Sequence, residues 1–487
     1  MTPRTMTLRN LTPRATAPEV EIAGLTADSR LVEPGFLFAA LPGENENGAD
    51  YVDDAVRRGA VAVLSIPGIA PTESGIAHLS DDNPRRALAE MAARFYPVQP
   101  ETIAAVTGTN GKTSVVHFTA QIWTEMGYNA ASLGTLGVRG PVRVASPDLT
   151  TPEPVALHRT LAGLAEQGID HLALEASSHG LNQHRLDGVH IGAAAFTNLS
   201  HDHLDYHTSA SDYLAAKTRL FTEVMGPGGT AVLNADAAEY GALRAACEAR
   251  GHRVMAYGRD APDLSWLVLK AREGGTTAEV KLDGQVFPIE LSLFGEFQLA
   301  NALCALALVL ATGGDTGAAI AAVNQLEAPP GRLALVAAHP TGARIFVDYA
   351  HTPDALSHAL AALRPHVMGR LVVIFGCGGD RDRAKRPEMG RIAAHLADEV
   401  IVTDDNPRGE DAAAIRDEIL AGCPGASQMG DRSEAILRAI DDLDSGDILL
   451  IAGKGHETTQ TIGAKARAFD DSAVARDAIA NLAVAWT

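Results

Sequence analysis

The most informative stretch of this chain is Thr107-Gly-Thr-Asn-Gly-Lys-Thr-Ser114. An apolar, strand-like run over residues 102–106 precedes it, and a helical pattern of apolar residues opens at Ser114. A strand, a glycine-rich turn and a helix start form a geometry that binds phosphate, because backbone N–H groups and the positive helix end face the anion. Lys112 adds a mobile positive charge, and the Thr113 hydroxyl is suited to holding Mg²⁺.

This loop is shorter than the common phosphate loop. The position five residues before Gly111, where the common loop carries a glycine, is Val106. The shortened form is similar to the loop of ATP-using amide ligases. The alternative is a glycine-rich turn with a solvated lysine, but the flanking strand and helix favour phosphate binding. We therefore expect a nucleotide to contact Gly108, Thr109, Asn110, Gly111, Lys112, Thr113 and Ser114.

Composition limits the classes of protein to consider. The 487 residues predict two to four domains. A formal net charge of −20 argues against a general binder of nucleic acid or of anionic membranes. Residues 1–14 contain no apolar signal core, and no apolar run has the length of a membrane span, so we expect a cytoplasmic protein. We also expect it to act as a monomer. The cysteines lack the spacing of a zinc site or a disulfide framework: Cys247, Cys304, Cys377 and Cys423.

The chain divides into three α/β segments, at 1–100, 101–328 and 329–487. Short apolar strands alternating with helices predict a doubly wound parallel sheet in the central segment. A smaller α/β domain precedes it and a Rossmann-like domain follows it. The predicted strands are 22–25, 36–40, 60–64, 102–106, 130–133, 171–174, 193–196, 230–233, 345–347, 371–375, 400–402 and 448–452.

Polar clusters follow several central strands. Glu175 comes directly after the strand 171–174 and is a candidate Mg²⁺ ligand, because the carboxyl ends of parallel strands share one sheet edge. The run 197–207 is dense in His and Asp and includes His203, another candidate metal ligand. Taken alone such a run is more often a solvated loop, but its place after a strand favours a metal site. Lys217 lies in an amphipathic helical pattern, where a surface lysine is the default.

Three turns in the last segment carry charged and polar groups after predicted strands. They are Gly376–Arg383, Asp405–Arg408 and Gly453–Glu457. Together they suit a ligand that carries both carboxylate and ammonium groups. The tetrapeptide Asp-Asn-Pro-Arg also occurs at Asp82–Arg85, where it predicts a helix N-cap with Pro in the first turn. The tetrapeptide alone therefore identifies no site.

Taken together, these motifs resemble the Mur ligases over nearly the whole chain. The third-segment turns, with Arg408, are similar to those of members that add diaminopimelate. Gln298 departs from the family, which usually has Asn there, and the loop 43–48 is unusually acidic beside a pyrophosphate. The matching pieces, in order, are Ala27–Arg30, Thr107–Ser114, Thr150–Glu153, Glu175–Arg185, Asn198–His203, Lys217, Phe297–Asn301, Asp348–Pro353, Gly376–Pro387, Asp404–Arg408 and Gly453–Glu457.

The resemblance implies an ATP- and Mg²⁺-dependent ligase that adds meso-diaminopimelate to the D-Glu γ-carboxylate of UDP-MurNAc-L-Ala-D-Glu through an acyl phosphate. It implies Lys112, His203 and a carbamylated Lys217 as catalytic, and Thr113, Glu175, His203 and Lys217 as metal ligands. Nucleotide contacts would also come from Asn301, Arg332, Asp348 and His351. Ser29 and the loop Glu44–Asn47 would lie near the uridine, and the muramoyl peptide would contact Thr150, Thr151, Ser177, Gln183 and Arg185. The amino acid would contact Arg381, Asp405, Asn406, Pro407, Arg408, Gly453 and Glu457.

Two other functions remain open from the sequence. A folylpolyglutamate-type ligase shares the phosphate loop and the carbamylated lysine, but it usually lacks the first domain and the Asp-Asn-Pro-Arg turn. A nucleotide-dependent switch or transport ATPase would need no amino-acid pocket at the strand ends of the last segment.

Overall fold

The structure, a computed structural model, describes residues 5–13, 19–43, 46–142, 149–200 and 209–485. The chain forms two compact units, one of residues 1–255 and 307–314 and one of residues 256–306 and 315–487. The strand Arg253–Gly258 and the helix Glu296–Ala311 each contribute residues to both units. Among the helices in the described ranges, none is long and apolar enough to cross a membrane.

The first unit opens with a small four-stranded parallel sheet. Its strands, in spatial order, are Gly24–Thr26, Phe36–Ala40, Ala62–Ser65 and Ala77–Ser80. The single predicted strand 22–25 is wrong, because the chain changes partner at Ala23, whose N–H donates to the Gly35 carbonyl. Glu21–Ile22 instead pairs with Met6–Thr7. The helices and 3₁₀ turns are Leu8–Leu11, Ser29–Leu31, Gly48–Tyr51, Val52–Arg57 and Pro84–Phe95.

The helix Pro84–Phe95 begins as its sequence predicts. The Asn83 side chain accepts a hydrogen bond from the Arg86 N–H, and Pro84 occupies the first turn. Proline is tolerated there because the first N–H groups of a helix have no partner within the helix. In this part of the chain, Asp-Asn-Pro-Arg is therefore a helix start, as predicted.

A mostly parallel sheet forms the centre of the first unit. Its middle strand, Thr102–Thr107, is buried from Ile103 onward, which explains the continuous apolar run. Chain order reverses around this strand, and ligands bind at such switch points in open α/β sheets. Six neighbouring strands of this sheet are, in spatial order, Thr230–Asn234, Ala193–Phe196, Thr102–Thr107, His171–Glu175, Ala130–Gly134 and Gly137–Arg139, and only the last pair of these is antiparallel.

Helices flank this central sheet. The helix after the glycine-rich loop begins at Lys112, two residues before the predicted start at Ser114. Lys217 lies in Ala210–Arg219, which continues as a π-helical turn, Leu220–Val224. The helices of this part are Lys112–Glu125, Pro154–Glu166, Ser178–Asn182, Ala210–Arg219 and Tyr240–Ala249.

The second unit contains an antiparallel meander that the sequence analysis did not predict. Its strands are Leu264–Arg272, Gly275–Leu282 and Gln285–Leu291. Only one face of the last two strands is consistently buried, so charged residues interrupt the apolar pattern. The helix Thr316–Val323 follows the helix Glu296–Ala311 along the chain.

A six-stranded sheet forms the rest of the second unit, and only its first pair is antiparallel. The strands, in spatial order, are Ala334–Ala338, Arg344–Asp348, Ile448–Ala452, Leu371–Phe375, Glu399–Val402 and Ser427–Gln428. A hairpin, Thr459–Ile462 with Lys465–Ala468, follows the third of them along the chain. The helices and one 3₁₀ turn are Pro353–Leu363, Arg364–His366, Lys385–Leu396, Ala412–Leu420, Arg432–Asp441 and Asp471–Ala485.

A fully buried ion pair links the last two helices. Arg432 donates from Nε to Asp471 Oδ1 at 2.7 Å and from Nη2 to Asp471 Oδ2 at 2.8 Å, and both side chains have 0% exposure. The same nitrogen also donates to the Ala452 carbonyl at 2.8 Å. Removing one partner of such a pair leaves an uncompensated charge in the core.

We predict that Arg432→Met lowers the free energy of unfolding by about 3–5 kcal/mol, because Asp471 would lose its counter-charge. Arg432→Met/Asp471→Asn should recover most of that loss. Urea denaturation followed by circular dichroism measures both effects, and Arg438→Met on the exposed face of the same helix is the control. Equal stability of Arg432→Met and Arg438→Met would contradict this account of the pair.

Candidate active site

The glycine-rich loop has a backbone that only glycine adopts without strain at two positions. Gly108 has φ 147° and Gly111 has φ 88°. A Cβ atom at Gly108 would lie 1.9 Å from Thr197 Oγ1, the atom that donates to the Asn110 carbonyl at 2.6 Å. Asn198 Oδ1 accepts from the Asn110 N–H at 2.9 Å. The neighbouring strand end therefore holds the loop closely.

Two lysines converge on one carbonyl of this loop. Lys112 Nζ donates to Gly108 O and to Thr109 O, each at 2.9 Å. Lys217 Nζ donates to the same Gly108 O at 2.8 Å and lies 4.1 Å from the centroid of the Tyr213 ring. Lys217 is only 1% exposed, so the interpretation as a surface lysine is wrong. A helical pattern alone does not show which face another loop will cover.

Glu175 is a buried carboxylate next to this loop. It pairs in register with Val106, just before the loop begins, and is 2% exposed. Its Oε1 accepts from the Thr135 N–H at 2.8 Å and its Oε2 from Thr135 Oγ1 at 3.1 Å. A Cβ atom at Gly134 would lie 2.2 Å from Oε1, which explains the glycine. The sequence analysis missed Thr135, although it follows a predicted strand.

The donor set at this edge suits Mg²⁺. Within the described ranges, no three His, Cys, Asp or Glu side chains are grouped so that they could hold a metal ion. The Glu175 carboxylate and the Thr113 hydroxyl are hard oxygen donors of the kind that Mg²⁺ prefers, usually together with phosphate oxygens. His203 lies outside the described residues, as do Glu44 and Asn45 of the predicted uridine loop.

The residues expected to contact the muramoyl peptide form one hydrogen-bonded group. Thr151 Oγ1 donates to the Glu175 carbonyl at 2.8 Å and accepts from the Ser177 N–H at 3.0 Å. Arg185 donates to Thr151 O at 2.8 Å and to Gln183 Oε1 at 2.6 Å. The remaining member is Thr150, whose Oγ1 lies 3.0 Å from Thr135 Oγ1. Ser29, expected near the uridine, lies in the 3₁₀ turn Ser29–Leu31 of the small N-terminal region. In the described structure it shares no hydrogen bond with this group.

The bend between Gln183 and Arg185 is held by contacts of the intervening residue, His184. His184 there has φ 57°, an uncommon conformation for a residue other than glycine. Its Nδ1 lies 2.6 Å from an Arg219 nitrogen, which also donates to Asp187 at 2.7 Å. Its Nε2 lies 2.9 Å from Asn83 Nδ2, so the helix cap of the small N-terminal region also contacts this bend.

In the second unit, Asp348 ends a buried strand and closes a turn. Its Oδ2 accepts from the Leu333 N–H at 2.5 Å and its Oδ1 from the Ala350 N–H at 2.7 Å. Burial raises the pKa of Asp348 to about 6, although Arg332 and the two N–H donors oppose the shift. The Arg332 guanidinium lies 4.6 Å from the centroid of the Tyr349 ring.

Gln298, the departure from the family pattern, joins two residues expected at the nucleotide. Its Nε2 donates to the Arg332 carbonyl at 3.1 Å, and its Oε1 accepts from Asn301 Nδ2 at 3.2 Å. His351, also expected there, has its Nδ1 2.9 Å from the Tyr349 carbonyl. Hydrogen bonds and the contact of Arg332 with the Tyr349 ring therefore connect these expected nucleotide-binding residues within the second unit.

The turn that carries Arg408 has a left-handed backbone. Arg408 has φ 51°, and its NH1 nitrogen donates to Gly379 O at 2.9 Å. Such a conformation costs energy in a residue other than glycine and is common at functional sites. Gly453 has φ 113°, and a Cβ there would lie 2.8 Å from Asp405 Oδ2. Arg381 is exposed and lies in the loop after the strand Leu371–Phe375.

A buried lysine that the sequence analysis missed connects two of these turns. Lys454 has 0% exposure, and its Nζ donates to Glu457 Oε2 at 2.8 Å, to Asn406 Oδ1 at 3.3 Å and to Thr459 O at 2.7 Å. Asn406 Nδ2 also donates to Glu457 Oε2, at 2.8 Å. The predicted contacts of Asn406 and Pro407 with the amino acid stay predictions.

A glycine-rich loop at the switch point of a parallel sheet is typical of nucleotide-binding α/β proteins, and comparison with known proteins gives the family of this chain. Three family models match: "Mur ligase family, catalytic domain" at residues 21–96, "Mur ligase middle domain" at 106–309, and "Mur ligase, glutamate ligase domain" at 331–455. The chain belongs to the Mur ligase family and has its three-domain α/β fold.

Relatives of known function are similar over almost their full length. The UDP-N-acetylmuramoyl-L-alanyl-D-glutamate–2,6-diaminopimelate ligase of Rhizobium meliloti is 49% identical and covers 96% of each chain. That of Bradyrhizobium diazoefficiens is 51% identical over 95% of this chain and 96% of its own. A solved structure of an enzyme with this name is 33% identical, with a TM-score of 0.74 over 99% of this chain and 100% of that one.

Proposed function

We propose that this chain is an ATP-dependent amide ligase that joins meso-diaminopimelate to the D-Glu γ-carboxylate of UDP-MurNAc-L-Ala-D-Glu, in the synthesis of peptidoglycan precursors. The observation that carries the proposal is the convergence of Lys112 and Lys217 on the Gly108 carbonyl of a phosphate loop beside the buried Glu175. Relatives that are 49% and 51% identical bear the name of this activity, which supports it. We place the enzyme in the cytoplasm with its precursor substrates.

The chemistry requires activation of a carboxylate, which does not itself react with an amine. A γ-carboxylate oxygen attacks the γ-phosphorus of ATP, forming an acyl phosphate and releasing ADP. The amine of the diamino acid then attacks the acyl carbon, loses a proton and expels phosphate. Lys112 would offset the repulsion between the anionic carboxylate and the triphosphate, while backbone amides of the loop hold the phosphates in place.

Mg²⁺ fits the proposed site as a second source of positive charge. Glu175, Thr113, His203 and a carbamylated Lys217 would hold it, and when bound it would neutralise phosphate charge. We further propose that residues 1–100 bind the UDP moiety, that 101–328 bind ATP and that 329–487 bind the amino acid. The expected contacts of Ser29, Thr150, Thr151, Ser177, Gln183 and Arg185 with the UDP-linked substrate belong to the same proposal.

Product analysis tests the proposed function against both rivals. The purified protein is incubated with ATP, Mg²⁺, UDP-MurNAc-dipeptide and one amino acid of a panel, and products are identified by mass spectrometry. We expect ADP, phosphate and a nucleotide-linked tripeptide with diaminopimelate. In a parallel incubation, a folate and glutamate replace the dipeptide and the panel, and ligation of glutamate to the folate would support the folylpolyglutamate-type ligase instead. ATP hydrolysis that needs neither dipeptide nor amino acid would support a switch or transport ATPase.

We predict that Lys217 carries a carbamate in the active enzyme. Burial and a second amine nearby both disfavour an ammonium ion, and the uncharged amine adds carbon dioxide, losing a proton to give an anionic carbamate. Lys217→Ala should lower kcat by about a hundredfold or more, and added short carboxylates should restore part of it. Carbon-13 NMR after labelling with bicarbonate should show the carbamate in the wild type.

The exposed Lys270 provides the control for this prediction, since Lys270→Ala removes a lysine from the surface of the meander. That variant should keep the kcat of the wild type and the carbamate signal. A labelled wild type without a carbamate signal, or Lys217→Ala with normal turnover, would show that Lys217 has another role.

We predict that Arg408 selects diaminopimelate over lysine, because only diaminopimelate has a second carboxylate for the guanidinium to meet. Arg408→Lys should raise the KM for diaminopimelate by roughly tenfold to a hundredfold and leave the KM for ATP unchanged. Steady-state kinetics with each amino acid measures this, and Arg391→Lys on an exposed helix face is the control. Equal wild-type kcat/KM for lysine and meso-diaminopimelate would contradict the assignment.

A further inference from the structure

Lys454 is fully buried, yet the proposed chemistry gives it no direct contact with substrate. An ammonium ion has three N–H donors, and the structure supplies three acceptors, on Glu457, Asn406 and Thr459. Burying a charge is costly unless it is paired and hydrogen-bonded. The complete set of partners shows that the fold is built around this ammonium ion.

The contacts of Glu457 are unequal between its two oxygens. Oε2 accepts from both Lys454 and Asn406, each at 2.8 Å. Within the part of the chain that the structure describes, Oε1 accepts no hydrogen bond, and the side chain keeps 30% exposure. One oxygen is therefore anchored inside the protein, and the other remains available to a ligand.

The charges around Glu457 favour its ionised form. Burial alone would raise the pKa of Glu457, but the hydrogen bond and charge of Lys454 oppose burial, and together with Asn406 and His456 they hold that pKa below its usual value. Tyr349 and Arg432, on neighbouring elements, also interact electrostatically with Glu457.

We propose that Lys454 is a positioning residue for the amino-acid substrate: it anchors Glu457 through Oε2 and keeps it ionised, so that Oε1 accepts an ammonium group of the incoming diamino acid. This inference rests on the proposed function and deepens it. Lys454 acts through Glu457 and does not touch the substrate. Removing Lys454 would leave a half-buried carboxylate without its cation, and that carboxylate would take up a proton at a higher pH.

A double-mutant cycle tests the inference. The full-length wild type, Lys454→Met, Glu457→Gln and the double variant are assayed for ligation, varying diaminopimelate at saturating ATP and then ATP at saturating diaminopimelate. Lys454→Met should raise the KM for diaminopimelate about tenfold or more and change that for ATP by less than about twofold. In the Glu457→Gln background, the same substitution should change the KM for diaminopimelate by no more than about twofold.

The pH profile separates positioning from a purely structural role. Glu457 must be ionised to accept an ammonium group, so kcat/KM for diaminopimelate falls as the pH drops through its pKa. In the wild type this acid limb should lie below the usual range of a glutamate. In Lys454→Met it should move to higher pH, and in both variants that carry Glu457→Gln it should be absent.

Controls keep the inference distinguishable from the proposed function. Lys465→Met, on the exposed strand Lys465–Ala468, should behave as the wild type does. If Lys454→Met does not fold, the double variant is compared with Glu457→Gln, because neither of these leaves an unpaired carboxylate. A tenfold difference between them in the KM for diaminopimelate overturns the inference. If Lys454→Met folds and its KM and pH profile are unchanged, only the inference about Lys454 is overturned. If the wild type does not use diaminopimelate, both the proposed function and the inference are overturned.

Discussion

The hydrogen bonds from Lys112 and Lys217 to the single carbonyl of Gly108 are the constraint on which the first site depends. A chain with a net charge of −20 does not attract an anion through its overall field, so binding one requires positive charge that is concentrated locally, and Lys112 is the residue that can supply it here. The parallel sheet makes this possible because its middle strand ends where the chain order reverses. Glycine at 108 and 111 then lets the loop turn closely enough to bring both amines to one point.

The candidate site residues of each unit are arranged in the same way. In each unit they lie at the carboxyl ends of parallel strands, and a buried lysine hydrogen-bonds to the turns that carry them. Lys217 contacts the loop after Thr102–Thr107, and Lys454 contacts the turns after Glu399–Val402 and Ile448–Ala452. The buried ammonium ion of Lys454 needs several acceptors in fixed positions, so it makes the neighbouring turns rigid. Rigid turns are what a site that distinguishes similar ligands requires.

Sequence patterns predicted the parts that depend on local chemistry. The phosphate loop, the Asn83 cap and the strand ends at Glu175 and Asp348 follow from residues that are close together along the chain. Contacts between distant residues could not be predicted in this way: Thr135 reaches Glu175 across 40 positions, and Lys454 reaches Asn406 across 48. The meander over 264–291 was missed because charged residues on its open face interrupt the apolar pattern.

In the proposed reaction, a substrate carboxylate becomes an acyl phosphate before the amine attacks. Oxygen-18 labelling of both γ-carboxylate oxygens of the D-Glu residue tests it directly, with the released phosphate measured by mass spectrometry. Transfer of a carboxylate oxygen to phosphorus predicts one labelled oxygen in each phosphate for every amide formed. Amide formation that releases unlabelled phosphate would show that the reaction does not pass through an acyl phosphate.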